Sequence, residues 1–139
     1  MNNAPTPNES KQARMPTPKV PLIAIVDDDD SVRDALKSLI DSIGYRAEVF
    51  ASGEAFLNSP YVSQTDCLIA DVRMPGMSGL ELQERLNASS TAVPIVFISA
   101  HDDGEARAQG LRAGAVDFLK KPFSEDSLLG AIGACLEKS

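Results

Sequence analysis

A doubly wound α/β fold, with five parallel strands in the order 2-1-3-4-5 and helices on both faces, is the architecture this sequence predicts. Three observations lead to it. Strand-like and helix-like stretches alternate five times between residues 22 and 138, the rhythm of a parallel sheet whose strands are joined by helical crossovers. The strand candidates are near-continuous apolar runs, as strands buried on both faces must be. Ionisable residues gather directly after several of these runs, at the edge where open parallel sheets bind ligands. Right-handed crossovers leave few other topologies.

The elements follow in order. Residues 1–21 hold five of the nine prolines and no large apolar residue besides Met1, Met15 and Val20, which predicts a disordered or extended arm before a domain over 22–139. LIAIV (22–26) is the first strand, and the stretch IAIVDDDDSV sets four aspartates against its end. Val32, Ala35, Leu36, Leu39, Ile40 and Ile43 then recur at helical spacing, with Gly44 as the residue that ends the helix. Residues 46–50 form a second strand. SGEAFLNS is a short helix that Ser52 can cap and that ends before Pro60. CLIA (67–70) is the third strand, ending at Asp71. Ser78 and Glu81 have capping-box spacing before LQERL. PIVFIS (94–99) is the fourth strand, residues 103–113 a weakly apolar helix containing Gly110, and AVDFL (115–119) the fifth strand. Ser124 can cap a last helix with Leu128, Ile132 and Leu136 on one face. The strand order is that of flavodoxin-like (βα)5 folds.

Composition narrows the function. The 139 residues carry a net charge of −7, with +2 in residues 1–21 and −9 in the rest, from 10 Lys/Arg against 19 Asp/Glu. Phosphate contacts supply most non-specific nucleic-acid affinity, so so acidic a body argues against direct nucleic-acid binding. Cys67 and Cys135 sit in apolar contexts and read as buried free thiols rather than a secreted disulfide framework. The LIAIV run is too short for a membrane span or a secretory leader. The cytoplasm is the expected compartment.

The strand ends carry the chemistry. Asp27 and Asp28 follow the first strand, Asp71 the third, Ser99 closes the fourth, and Lys120, Lys121 and Pro122 follow the fifth. The second ends in Phe50 and Ala51, with nothing ionisable. Three carboxylates about 5 Å apart repel by roughly 3 kcal/mol per pair at an effective dielectric near 20. A lysine offsets part of this and a hard divalent cation more. Oxygen ligands without histidine or cysteine suit Mg²⁺ or Mn²⁺ better than zinc. An aspartate that attacks phosphorus needs such help, because two anions must approach. Lys121 could then hold the charge of the new group and Ser99 hydrogen-bond one of its oxygens. Asp29 and Asp30 need no such role, since a helix N-terminus favours carboxylates.

With DVRMPGMSGLEL after the third strand, IVDDD at the first, ISA at the fourth and DFLKKPF at the fifth, residues 22–138 closely resemble the receiver domain of two-component response regulators, most of all the FixJ-like group. The resemblance implies that Asp71 is the phosphoacceptor and that Asp27 and Asp28 are the acidic pair, Asp28 touching Mg²⁺ directly and Asp27 through water. It further implies that the Arg73 carbonyl completes the protein ligands, that Ser99 is the switch hydroxyl, that Lys121 is the lysine of the family motif, and that Phe118 is the aromatic that turns on activation. Lys120 is its solvated neighbour. His101, two residues beyond Ser99, reads as an exposed loop residue, and Met74 and Met77 as packing residues.

The expected function is that of a single-domain receiver that takes a phosphoryl group from a histidine kinase or phosphotransfer protein and switches a binding surface for a downstream protein target, with a phosphorylation-dependent dimer among the arrangements allowed. A receiver fragment of a larger DNA-binding regulator is the alternative. An aspartyl-phosphate phosphatase fits less well, because those enzymes read DxDx[TV] after the first strand and this nucleophile follows the third as DVR. A pseudo-receiver would not need mutually repelling carboxylates.

Overall fold

The computed structural model describes residues 19–101 and 103–138. The arm expected over 1–21 therefore lies outside the described residues except for its last three, of which Lys19 pairs with Asp66. Five strands, β1 (Leu22–Val26), β2 (Arg46–Phe50), β3 (Cys67–Asp71), β4 (Ile95–Ser99) and β5 (Asp117–Lys120), alternate with α1 (Asp30–Ser42), α2 (Gly53–Leu57), α3 (Gly79–Ala88), α4 (Gly104–Arg112) and α5 (Glu125–Lys138). All pair in parallel, in the order β2-β1-β3-β4-β5. This is the predicted fold.

Side chains alternate across a strand, so each strand feeds two cores. Ile23, Ile25, Ile69, Val96 and Ile98 face Leu36 and Ile40 of α1 and Leu128 and Ile132 of α5. Ala24, Val26, Leu68, Ala70 and Phe97 face Phe56 of α2, Leu82 and Leu86 of α3 and Ala106 of α4. The central strands β1, β3 and β4 are buried along their whole length, whereas β2 and β5 at the edges are not.

Local chemistry sets the helix ends. Asp29 caps α1 by accepting from the Ser31 and Val32 N–H groups, and Gly44 follows its C-terminal cap Ile43 with φ +89°, a conformation that costs glycine nothing. Ser52 caps α2, and Ser78 with Glu81 closes a full capping box on α3. Ser124 Oγ accepts from the Ser127 N–H at the start of α5.

The boundaries differ from the expected ones at few places. β3 extends through Asp71, β4 begins at Ile95, and α4 spans Gly104–Arg112 with Asp103 as its cap. β5 begins two residues later and ends one later than expected, at Asp117–Lys120, because pairing with β4 matches Val96 to Asp117 and Ser99 to Lys120. Lys120 thus ends the strand and Lys121 is the first residue beyond it. A single 3-10 turn, Val62–Gln64, was not anticipated.

Candidate functional site

Register puts the polar residues on one rim. Val26 pairs with Ala70, which sets Asp27 beside Asp71. Asp71 pairs with Ile98, so Ser99 stands one step further on the next strand. Ser99 pairs with Lys120, so Lys121 emerges alongside it, its N–H bonded to the Ser99 carbonyl at 2.7 Å.

At this rim Lys121 Nζ donates to Asp27 Oδ2 at 3.0 Å and to Asp71 Oδ2 at 3.1 Å. Asp27 Oδ1 accepts from the Asp29 N–H at 2.9 Å, and Asp71 Oδ1 from the Arg73 N–H at 3.1 Å. Asp28 is exposed, yet it and the other two acids each offer a carboxylate oxygen within 4.8 Å of the others. The three carboxylates, the hydroxyl and the ammonium expected at one edge are together.

Burial and repulsion set the electrostatics. Asp27 has no exposed surface, and desolvation raises its carboxyl above the usual carboxylate range. The Asp29 N–H and Lys121 oppose this shift, while the Asp71 charge adds to it. Burial alone would lower the Lys121 ammonium, but its hydrogen bonds to Asp27 and Asp71 outweigh that and raise it. One lysine thus serves two carboxylates, and the third faces open solvent.

This donor set fits a hard divalent cation. It is all oxygen, its acids are close enough to share an ion, and Asp27 is disfavoured as a bare anion. Among the described residues the Arg73 carbonyl accepts no hydrogen bond, which leaves it free as a ligand.

The remaining expected residues surround the acids. Ser99 is fully buried, and its hydroxyl bonds within its own loop, accepting from the His101 N–H at 3.1 Å and donating to the His101 carbonyl at 3.2 Å. Phe118 is buried with its ring centroid 6.3 Å from that of Phe97. His101 and Lys120 are exposed, and Met74 and Met77 are buried in the core, as expected.

Three contacts at the site escaped sequence reasoning. Arg33 of α1 donates from Nη1 to the Asp27 carbonyl at 2.6 Å. Arg107 of α4 donates to the Phe118 carbonyl at 3.2 Å, with its guanidinium carbon 5.8 Å from the Phe118 ring centroid. Arg73 forms an ion pair with Asp103. Each joins different elements, and no local spacing announces it.

Comparison with known proteins agrees with this geometry. Residues 23–133 match the family model of the response regulator receiver domain. The response regulator protein TodT of Pseudomonas putida is 50% identical over 116 residues, 84% of this chain and 51% of its own length. The transcriptional regulatory protein FixJ of Bradyrhizobium diazoefficiens is 37% identical over 117 residues, 84% of this chain and 57% of its own. The chain thus spans about half the length of these curated relatives. Among solved structures, that of FixJ-N superposes with a TM-score of 0.79 at 32% identity, covering 87% of this chain and 97% of that one. The response regulator StyR gives 0.81 at 47% identity, covering 86% and 61%.

Proposed function

The chain belongs to the response regulator receiver domain family, and from that membership we propose that Asp71 is its phosphoacceptor and that phosphorylation of Asp71 switches a protein-binding surface. The observation that carries this reading is the Lys121 ammonium bridging Asp27 and Asp71, at 3.0 and 3.1 Å, with Asp28 close enough to share a cation. Response regulators receive phosphoryl groups from histidine kinases, and here the donor is a kinase or a phosphotransfer protein. An Asp71 carboxylate oxygen attacks phosphorus, the phosphorus–nitrogen bond of the donor breaks, and the imidazole leaves with its electron pair and takes up a proton. Attack of water on phosphorus later breaks its bond to the Asp71 oxygen, which releases inorganic phosphate and restores the carboxylate. These are the only reactions we assign to the chain.

Asp28, Asp71 and the Arg73 carbonyl would hold Mg²⁺ or Mn²⁺ directly, with Asp27 acting through water. When bound, the ion neutralises charge on the phosphoryl oxygens. Lys121 keeps Asp71 oriented and then follows the charge onto the transferred group. Ser99 must give up the His101 main chain to reach a phosphoryl oxygen. That turn clears the way for Phe118, on the neighbouring strand, to move. The surface altered is that of α4, β5 and α5.

Output by protein contact fits the acidic body. Among the described residues no helix is long and apolar enough to cross a membrane, and we place the chain in the cytoplasm. Incubation with acetyl phosphate and Mg²⁺ should add one phosphoryl group in an acid-stable, base-labile linkage. Asp71→Asn should abolish the gain. Sustained turnover of a phosphomonoester would instead favour an enzyme, and no gain with the fold intact would favour a pseudo-receiver.

A further inference from the structure

Arg73 is attached to the phosphoacceptor at one end and to α4 at the other. Its main-chain N–H holds Asp71 Oδ1 at 3.1 Å. Its guanidinium pairs with Asp103, whose other carboxylate oxygen accepts from the Ala106 N–H at 3.1 Å and caps α4. One carboxylate therefore serves both the helix N-terminus and a side chain rooted beside Asp71. Four residues on, Arg107 bonds its N–H to the Asp103 carbonyl at 2.9 Å and its guanidinium to the Phe118 carbonyl at 3.2 Å. The line from Asp71 to the aromatic on β5 is continuous.

We propose that the Arg73 side chain is a positioning residue with two alternative anionic partners, Asp103 before phosphoryl transfer and the phosphoryl group on Asp71 after it, so that one guanidinium carries the charge change into the N-terminus of α4. Charge and access favour the exchange. Three carboxylates, one lysine and a divalent cation balance at the rim, and a phosphoryl group in place of a bare carboxylate leaves about one extra negative charge. A guanidinium can meet a phosphoryl group bidentately, through two charge-assisted hydrogen bonds. The Arg73 side chain is 55% exposed and that of Asp103 22%, so the pair lies near the surface, where ion pairs are weak. Asp103, once released, continues to cap α4 but no longer ties it to the loop after β3.

The inference rests on Asp71 accepting the phosphoryl group. Its test is amide hydrogen exchange on the whole chain, with and without acetyl phosphate and Mg²⁺ in excess. In the wild type, phosphorylation should speed exchange of the Ala106 and Arg107 amides by about twofold to fivefold, the range that the coupling of an exposed ion pair spans. Arg73→Gln and Asp103→Asn, the second keeping a capping side chain, should each lose that phosphorylation-dependent change, and Arg73→Lys should keep part of it. A merely structural pair would speed exchange in the unphosphorylated variants and leave the response intact. An undiminished response in Arg73→Gln and Asp103→Asn overturns the inference while the phosphoacceptor reading stands. Failure of the wild type to gain a phosphoryl group overturns both.

Discussion

Asp27 and Lys121 show how single residues hold the site in tension. The Asp27 carboxyl is raised above its ordinary 3.8, first by burial and further by the Asp71 charge. A carboxyl that binds its proton more readily in the folded chain than in the unfolded one favours folding as pH falls through its raised value, and it weighs against the fold at higher pH. Asn at this position resembles the protonated form, so metal-free Asp27→Asn should melt at a higher temperature than the wild type at pH 7–8. The advantage should shrink as Mg²⁺ is added. A cation that binds only the folded state stabilises by about 1.4 kcal/mol at tenfold its Kd, and most of that gain should belong to the wild type. Thermal melts across a Mg²⁺ titration decide this, and a wild type indifferent to Mg²⁺ would remove the cation from the account. Lys121 has the opposite sign. Its ammonium is raised above 10.5 by Asp27 and Asp71, so its contribution to stability is complete below that value and lost as pH climbs through the raised one. The stability gap between wild type and Lys121→Met in the metal-free protein should be constant from pH 7 to 9 and close above pH 10.5. Denaturant titrations at several pH values would show it, and a gap that widens in alkali contradicts the bridge.

At the level of elements, two glycines fix how α3 and α4 sit on the sheet. A Cβ on Gly79, the first residue of α3, would overlap the Asp71 carbonyl, and one on Gly110 would stand 2.9 Å from the fully buried Phe97 ring. A glycine inside a helix either softens it or admits a close packing contact. The geometry supports close packing, reinforced by Gln83, which donates from Nε2 to the Gly110 carbonyl at 3.0 Å. Alanine in a helix interior gains about 0.5–1 kcal/mol over glycine, but overpacking a rigid core costs about 1–3 kcal/mol. Gly110→Ala should therefore be destabilising by about 1 kcal/mol or more. Gly133 in α5 meets nothing within 4 Å of its would-be Cβ, so Gly133→Ala should gain about 0.5–1 kcal/mol from propensity alone. Urea titrations of the two variants test the packing and the propensity separately, and stabilisation by both would show that Phe97 yields. Gly79→Ala should be the most harmful, because the obstructing atom is backbone and belongs to Asp71, the proposed phosphoacceptor.

Over the whole molecule, what was legible in the sequence is what depends on neighbours along the chain. The central strands β1, β3 and β4 announced themselves as apolar runs, and Asp29, Ser52, Ser78 and Glu81 announced helix starts through contacts at most three residues away. The gathering of Asp27, Asp28, Asp71, Ser99 and Lys121 at one rim was also legible, because topology alone delivers strand ends to a common edge. What was not legible depends on register and on long side chains: the later start and end of β5, set by its pairing to β4, and the reach of Arg33, Arg73 and Arg107 across elements. The apposition of Cys67 on β3 and Cys135 on α5 was hidden in the same way. There the Cys135 thiol, together with burial, pushes the Cys67 thiol well up, which disfavours the Cys67 thiolate. The same distinction bears on switching. Lys121 joins partners 94 and 50 residues away in sequence, at the ends of the neighbouring strands β1 and β3, whereas Asp71 and the Arg73 N–H it accepts from lie within three consecutive residues. Removal of the lysine should therefore spare local chemistry more than long-range response. Lys121→Ala should still gain a phosphoryl group from acetyl phosphate, but phosphorylation should no longer alter amide exchange in β5 and α4. Loss of the mass gain together with the response would place Lys121 in the transfer step. A wild-type response in the phosphorylated variant would show that the sheet does not need this bridge to transmit the change.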